Sequence, residues 1–172
     1  LKDIARTFGM DPSRDVWADS VEKLGFDGVR CRIHTDTKNS FEAVIPLPGT
    51  HMVYNAMAGT CIGLALGLSI DEIRAGIESL KPLPGRSNIL HTEHYTLLDD
   101  CYNANPASMM ESLNVLDDTH SRKVAILGDM GELGPQSDAL HASVGEHLKN
   151  LHVDVLVTIG TLSTALHEAA KE

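Results

Sequence analysis

The stretch Pro82-Leu83-Pro84-Gly85 constrains this chain more than any other. Two prolines and a glycine cannot continue a helix, and the apolar periodicity differs on its two sides. Before it, alternating runs at 29–34 and 41–45 predict half-buried strands joined by a turn at 36–40. Two helices follow. The first opens at Thr50 or His51, is dense in small residues (Ala56, Ala58, Gly59, Gly63, Ala65) and stops at Gly67. The second takes Ser69 as N-cap, has Asp71 and Glu72 in its first turn, and carries Ile70, Ile73, Ile77 and Leu80 on one face. Residues 1–14 read as polar and irregular, and 15–24 fit no single period.

After the break the pattern changes. Strands are predicted at 87–92, 95–99, 122–127 and 153–158, and helices at 106–118, 137–149 and from 161. Strands alternating with helices mean βαβ units and a parallel sheet. The apolar runs at 124–127 and 153–159 predict strands buried on both faces. The reading is an α/β chain with two domains, 1–83 and 84–172.

The chain has 172 residues and a formal net charge of −10, with no basic block. Nucleic-acid binding relies on Lys and Arg against phosphates, so no nucleic-acid partner is expected. The longest apolar stretch, 56–68, is well short of the roughly 20 residues a span needs, so no membrane insertion is expected. Three cysteines without CxxC spacing argue against a disulfide framework or a zinc site and fit a reducing cytoplasm. No residue set is singled out as metal ligands. The chain opens without Met and reads as a fragment.

Four segments could carry chemistry. Leu97-Leu98-Asp99-Asp100-Cys101-Tyr102-Asn103-Ala104-Asn105-Pro106 is a strand ending in two carboxylates, then a polar turn, then a helix capped by Asn105 with Pro106 at its first position. A carboxylate at a strand's C-terminal end can accept from a ribose diol; the plainer reading is a capped helix beside solvated aspartates. Ala125 to Gly134 is a glycine-rich strand-to-helix loop that is neither GxGxxG nor a Walker A loop. Its Asp129 and Glu132 would repel a phosphate and suit metal, ammonium or hydroxyl contacts better. Arg86 follows the linker and offers a planar five-donor fork, or is a surface arginine in a turn. His51 and Asn55, four residues apart, share one helix face, and both could meet a ligand or simply face solvent. His141, a lone helix histidine, reads as structural.

The order of these segments is more specific than any one of them. PGxHxVxNA, PGR, DDxYNANPxSM and LGDMxELG followed by HxxxG resemble the Mur ligase family over roughly residues 15 to 172. The resemblance implies the end of a central ATP-binding domain (1–83) followed by a Rossmann-like, incomplete C-terminal domain (84–172). It implies ATP-dependent amide formation through an acyl phosphate, with ATP, UDP-N-acetylmuramoyl tripeptide and D-alanyl-D-alanine as substrates and Mg²⁺ as cofactor, in a cytoplasmic monomer. Asn55, Arg86 and Asp100 match nucleotide-binding positions. His51, Asn103, Asn105 and Asp129 match positions that face the nucleotide or the dipeptide, and His141 matches a position of unassigned role. Met52 departs from the family, which often has Asn there. No GxxGKT/S loop is present, so the phosphate grip and the Mg²⁺ ligands are expected upstream and this chain alone is expected to be inactive. Other ligases of the superfamily, including the folylpolyglutamate type, and a non-catalytic α/β binding module are the competing readings.

Overall fold

Alternation across 29–34 decides the first sheet. Val29, Cys31 and Ile33 are buried, while Arg30 and Arg32 face out and pair with Glu22 and Glu42 on the flanking strands. The computed structural model describes residues 5–36 and 39–171. Among them one sheet holds β1 (Phe8–Gly9), β2 (Val16–Lys23), β3 (Val29–His34) and β4 (Ser40–Ile45), in that order. β1 runs parallel to β2, and the other pairs are antiparallel. The turn expected at 36–40 includes residues 37 and 38, and the irregular start includes residues 1–4; both sets lie outside the described residues.

The unreadable stretch at 15–24 is β2, and a bulge explains why. Pairing with β3 shifts between Asp19 and Glu22, and Ser20 has φ +51°. Val16 and Ala18 are buried on even numbers, yet past the bulge it is Val21 that packs on the core. An extra residue flips the parity of every later side chain. β1 falls inside the stretch read as irregular. There Asp15 accepts from the Thr7 N–H (2.6 Å) and hydroxyl (2.8 Å).

Two helices complete this core, α1 (His51–Ala65) through Val53, Ala56 and Met57 and α2 (Ile70–Glu78) through Ile73 and Ile77. Gly63 lets them close: a Cβ there would lie 2.7 Å from Ile73 Cγ1. α1 ends in a Schellman motif. Gly67, with φ +78°, donates to Leu64 O, and Leu68 donates to Gly63 O. Ser69 and Glu72 form the capping box that opens α2. Leu80, expected on the buried face, lies beyond the helix end and is 43% exposed.

The chain divides into two compact units, Leu1–Pro82 and Leu83–Glu172. The second begins with an antiparallel hairpin of β5 (Asn88–His91) and β6 (Thr96–Asp99). Then come α3 (Pro106–Asp117), β7 (Val124–Gly128), α4 (Ser137–Leu148), β8 (Val155–Ile159) and α5 (Thr164–Lys171). β7 and β8 pair in parallel across α4, so this half is the mixed α/β unit with parallel pairing that the alternation implied. Burial on both faces does not hold. Ala125, Leu127 and Leu156 join the core, while Val124, Ile126, Val157 and Ile159 are 41–62% exposed. The strands alternate in environment although their sequence does not, because the described helices line one face. Gly145 brings α4 onto α5: a Cβ there would sit 2.3 Å from Leu166 O. At the start of β7, buried Lys123 donates from Nζ to Asp117 O (2.7 Å), and its own N–H meets Asp154 Oδ2 (2.7 Å).

Candidate functional site

Asp99 ends β6, Asp100 follows it, and both turn their carboxylates back onto the linker. Asp99 Oδ2 accepts from Gly85 N–H at 3.0 Å, and Asp100 Oδ1 accepts from Ser87 N–H at 2.8 Å. The Ser112 hydroxyl on α3 donates to Asp100 Oδ2. In return, Tyr102 N–H donates to Gly85 O at 2.9 Å. Gly85 has φ +73°, and a Cβ there would press on Tyr102. Ser87 has φ +45°, a region that costs a non-glycine residue roughly 1 kcal/mol or more. The Asp100 bond sits on that strained residue and offsets part of the cost.

Arg86 lies between these two clamped residues. Its guanidinium stands over the Tyr102 ring, 4.2 Å from the centroid, and the side chain is otherwise exposed. Arg86 and Asp100 are thus brought to one place by the 85–87 and 99–102 backbones. Each Asp100 oxygen already accepts one hydrogen bond and keeps a second lone pair, so a hydroxyl donor can still be accepted. The Asp99 carboxyl is held below its ordinary value, chiefly by the Cys101 thiol and then by Gly85 N–H. The same contact pushes the Cys101 thiol up, which removes it as a thiolate nucleophile.

Asn105 caps α3 as expected: its Oδ1 accepts from Ser108 N–H (3.0 Å) while its own N–H donates to Ser108 Oγ (3.2 Å). Asn103 is exposed in the turn between Tyr102 and this cap. Asp129 opens the turn after β7 and ties it to a second turn: its Oδ1 accepts from Ser163 N–H (2.7 Å) and its Oδ2 from Thr161 N–H (3.1 Å). These bonds, Ser163 first, hold its carboxyl below the ordinary range. Gly160, at φ +114°, leaves room for that carboxylate.

His51 and Asn55 belong to the first unit. They lie one turn apart at the start of α1, with Asn55 exposed and donating to the Met52 thioether sulfur at 3.4 Å. Met52, the position where the sequence was expected to depart from the resembled motif, is therefore the partner of Asn55. Thr50 is the N-cap but makes no side-chain capping bond.

Two contributors, Tyr102 and Ser112, were not singled out from the sequence, and a third, His141, was given only a structural reading. Tyr102 lay inside a quoted motif, but nothing in spacing shows that its ring carries Arg86. Ser112 sits two turns into α3 with no local signal. His141, read as structural, has its ring on the Met130 N–H. Among the described residues no group of three or more His, Cys, Asp or Glu could by itself hold a metal ion.

The sequence profile described as "Mur ligase, glutamate ligase domain" matches residues 85–172, just over half of the chain. The chain belongs to the Mur ligase family. This Mur ligase chain is 36% identical over 169 residues to the UDP-N-acetylmuramoyl-tripeptide–D-alanyl-D-alanine ligase of Escherichia coli K12, covering 92% of itself and 37% of that relative. It is similar to a MurF crystal structure from Acinetobacter baumannii at 34% identity, with a TM-score of 0.88 over 96% of this chain and 36% of that one. The MurF ligase of Thermotoga maritima, solved in complex with ADP, shares the fold: TM-score 0.79 at 24% identity, over 94% and 37% of the two chains. The chain thus spans little more than a third of the length of these relatives.

Proposed function

We propose that this chain is part of an ATP-dependent ligase that adds D-alanyl-D-alanine to UDP-N-acetylmuramoyl tripeptide in peptidoglycan precursor synthesis. The observation that carries it is the clamp that fixes Arg86 and Asp100 together, a cation and a hydroxyl-accepting carboxylate suited to a ribonucleotide. The relatives named for this reaction support the choice of substrates.

On this reading residues 1–83 are the end of a central ATP-binding domain and 84–172 most of a C-terminal domain. Arg86 donates to the nucleotide, Asp100 accepts from the ribose diol, and Asn55 lies near the adenine. His51, Asn103, Asn105 and Asp129 shape the nucleotide or dipeptide region. In the reaction, the tripeptide carboxylate takes the γ-phosphoryl group from ATP and releases ADP. The dipeptide amine then attacks the acyl phosphate, and phosphate leaves as the amide forms and the amine proton is lost. This chain contributes positioning and charge stabilisation. Mg²⁺ neutralises phosphoryl charge in such chemistry; its ligands belong outside the residues described. A cytoplasmic monomer fits the reading. No described helix is long and apolar enough to cross a membrane.

The test is phosphate release from ATP with Mg²⁺, the UDP-linked tripeptide and D-alanyl-D-alanine. This chain and the longest protein encoded in frame with it are assayed side by side. Dipeptide-dependent release by the longer protein alone supports the reading. Release that is indifferent to the dipeptide, or absent from both, overturns it in favour of another ligase or a binding module.

A further inference from the structure

We propose that His141 is a positioning residue for the turn after β7, acting as a neutral ring with its hydrogen on Nδ1; its catalytic relevance rests on the ligase reading above. The ring is fully buried. Its Nε2 lies 2.9 Å from Met130 N, and a backbone N–H can only donate. Nε2 must therefore be bare. Its Nδ1 lies 2.8 Å from Ser137 O, which can only accept, so Nδ1 carries the hydrogen. These two backbone groups fix the tautomer, and the Ser137 hydroxyl, 3.3 Å from the same Nδ1, can then serve there only as a second acceptor. A doubly protonated ring could keep the Ser137 bond but not the Met130 bond.

The grip falls early in the turn, two residues past the end of β7. Met130 is buried beside it, and Asp129 just before it ties to Thr161 and Ser163 after β8. Glu132, two residues on, has φ +60°, a conformation a non-glycine residue keeps only when its surroundings hold it. One ring on α4 and one carboxylate therefore set the turns after both parallel strands. Ligands of parallel α/β sheets bind at such C-terminal ends. His141 touches none of them and acts through the turn.

Two substitutions separate this role from simple packing. Glutamine carries Oε1 about as far from the backbone as Nε2 and can accept from Met130, whereas leucine fills space without an acceptor. In this chain, nitrogen-resolved NMR should show the hydrogen on Nδ1 and a slowly exchanging Met130 amide. H141L should exchange that amide about tenfold faster, the scale of one buried bond left unmade, and H141Q should restore it. In the longest in-frame protein, H141L should raise the KM for ATP or D-alanyl-D-alanine more than it lowers kcat, and H141Q should recover it. A hydrogen on Nε2, unchanged Met130 exchange in H141L, or no recovery in folded H141Q overturns the proposal. If H141L does not fold, the comparison of H141Q with the parent decides. If the longer protein is no ligase, the reading of function fails while the NMR result still decides whether His141 holds the turn.

Discussion

The Arg86 guanidinium rests on the face of Tyr102, 4.2 Å from the ring centroid, and the Tyr102 N–H holds the carbonyl of the residue before Arg86. One residue thus fixes the arginine through both backbone and ring. An exposed cation–π contact contributes roughly 0.5–1 kcal/mol. Tyr102→Leu should weaken ATP binding by about twofold to fivefold on that scale, and Tyr102→Phe should keep it. Calorimetric titration with ATP on the longest in-frame protein reads this directly.

Gly145 leaves no room for a side chain between α4 and α5. A Cβ there meets Leu166 O at 2.3 Å and the Ala169 Cβ at 2.8 Å, and backbone cannot step aside. Gly145→Ala should destabilise the second unit by about 1–3 kcal/mol, as overpacking does, despite alanine's better helix propensity. Urea unfolding should show a lower midpoint.

Lys123 is 8% exposed and bonds both the carbonyl and, at 3.2 Å, the carboxylate of Asp117. Asp117 also accepts from His152 N–H at 2.8 Å, so the cluster links α3, β7 and the approach to β8. Lys123→Met keeps the stem but leaves the Asp117 groups a donor short. A loss of about 1–2 kcal/mol in the same unfolding experiment is expected.

Acid should loosen the second unit. Asp99, Asp117 and Asp129 all have carboxyl groups held below their ordinary value of 3.8, the last two first by backbone N–H donors and Asp99 first by Cys101. A depressed folded value means stability is fully present above the unfolded value and is lost as pH falls through the folded one. Stability should therefore be flat above about pH 5 and decline below 4. Asp129→Asn should shallow that decline. An equal decline in the variant would mean the Thr161 and Ser163 bonds contribute nothing to it.

Much of the fold was legible because local signals agreed with burial. Alternation gave β3 and β4, the Ser69 N-cap gave the start of α2, and Asn105-Pro106 gave the start of α3. What escaped depended on non-local facts. The Ser20 bulge hid β2 by inverting its parity. The exposed face of β7 and β8 is as apolar as the buried one, so periodicity could not tell them apart. Within the site, the motif residues were readable as residue types at a strand end. Their partners, Tyr102 on Arg86 and Ser112 on Asp100, lie 16 and 12 positions away and leave no spacing signal. His141 is structural as read, but that its ring bonds to Met130, 11 positions away, left no spacing signal.

The bonds from Asp99 and Asp100 to Gly85 and Ser87 stitch the end of the linker into the second unit. Arg86 is therefore no free tether. It is built into the second unit as firmly as Asp100 is, and the spacing between the two is fixed when that unit folds. On the ligase reading, a ribonucleotide would meet Arg86 and Asp100 on backbone already gathered by these bonds, before any other part of the protein moved.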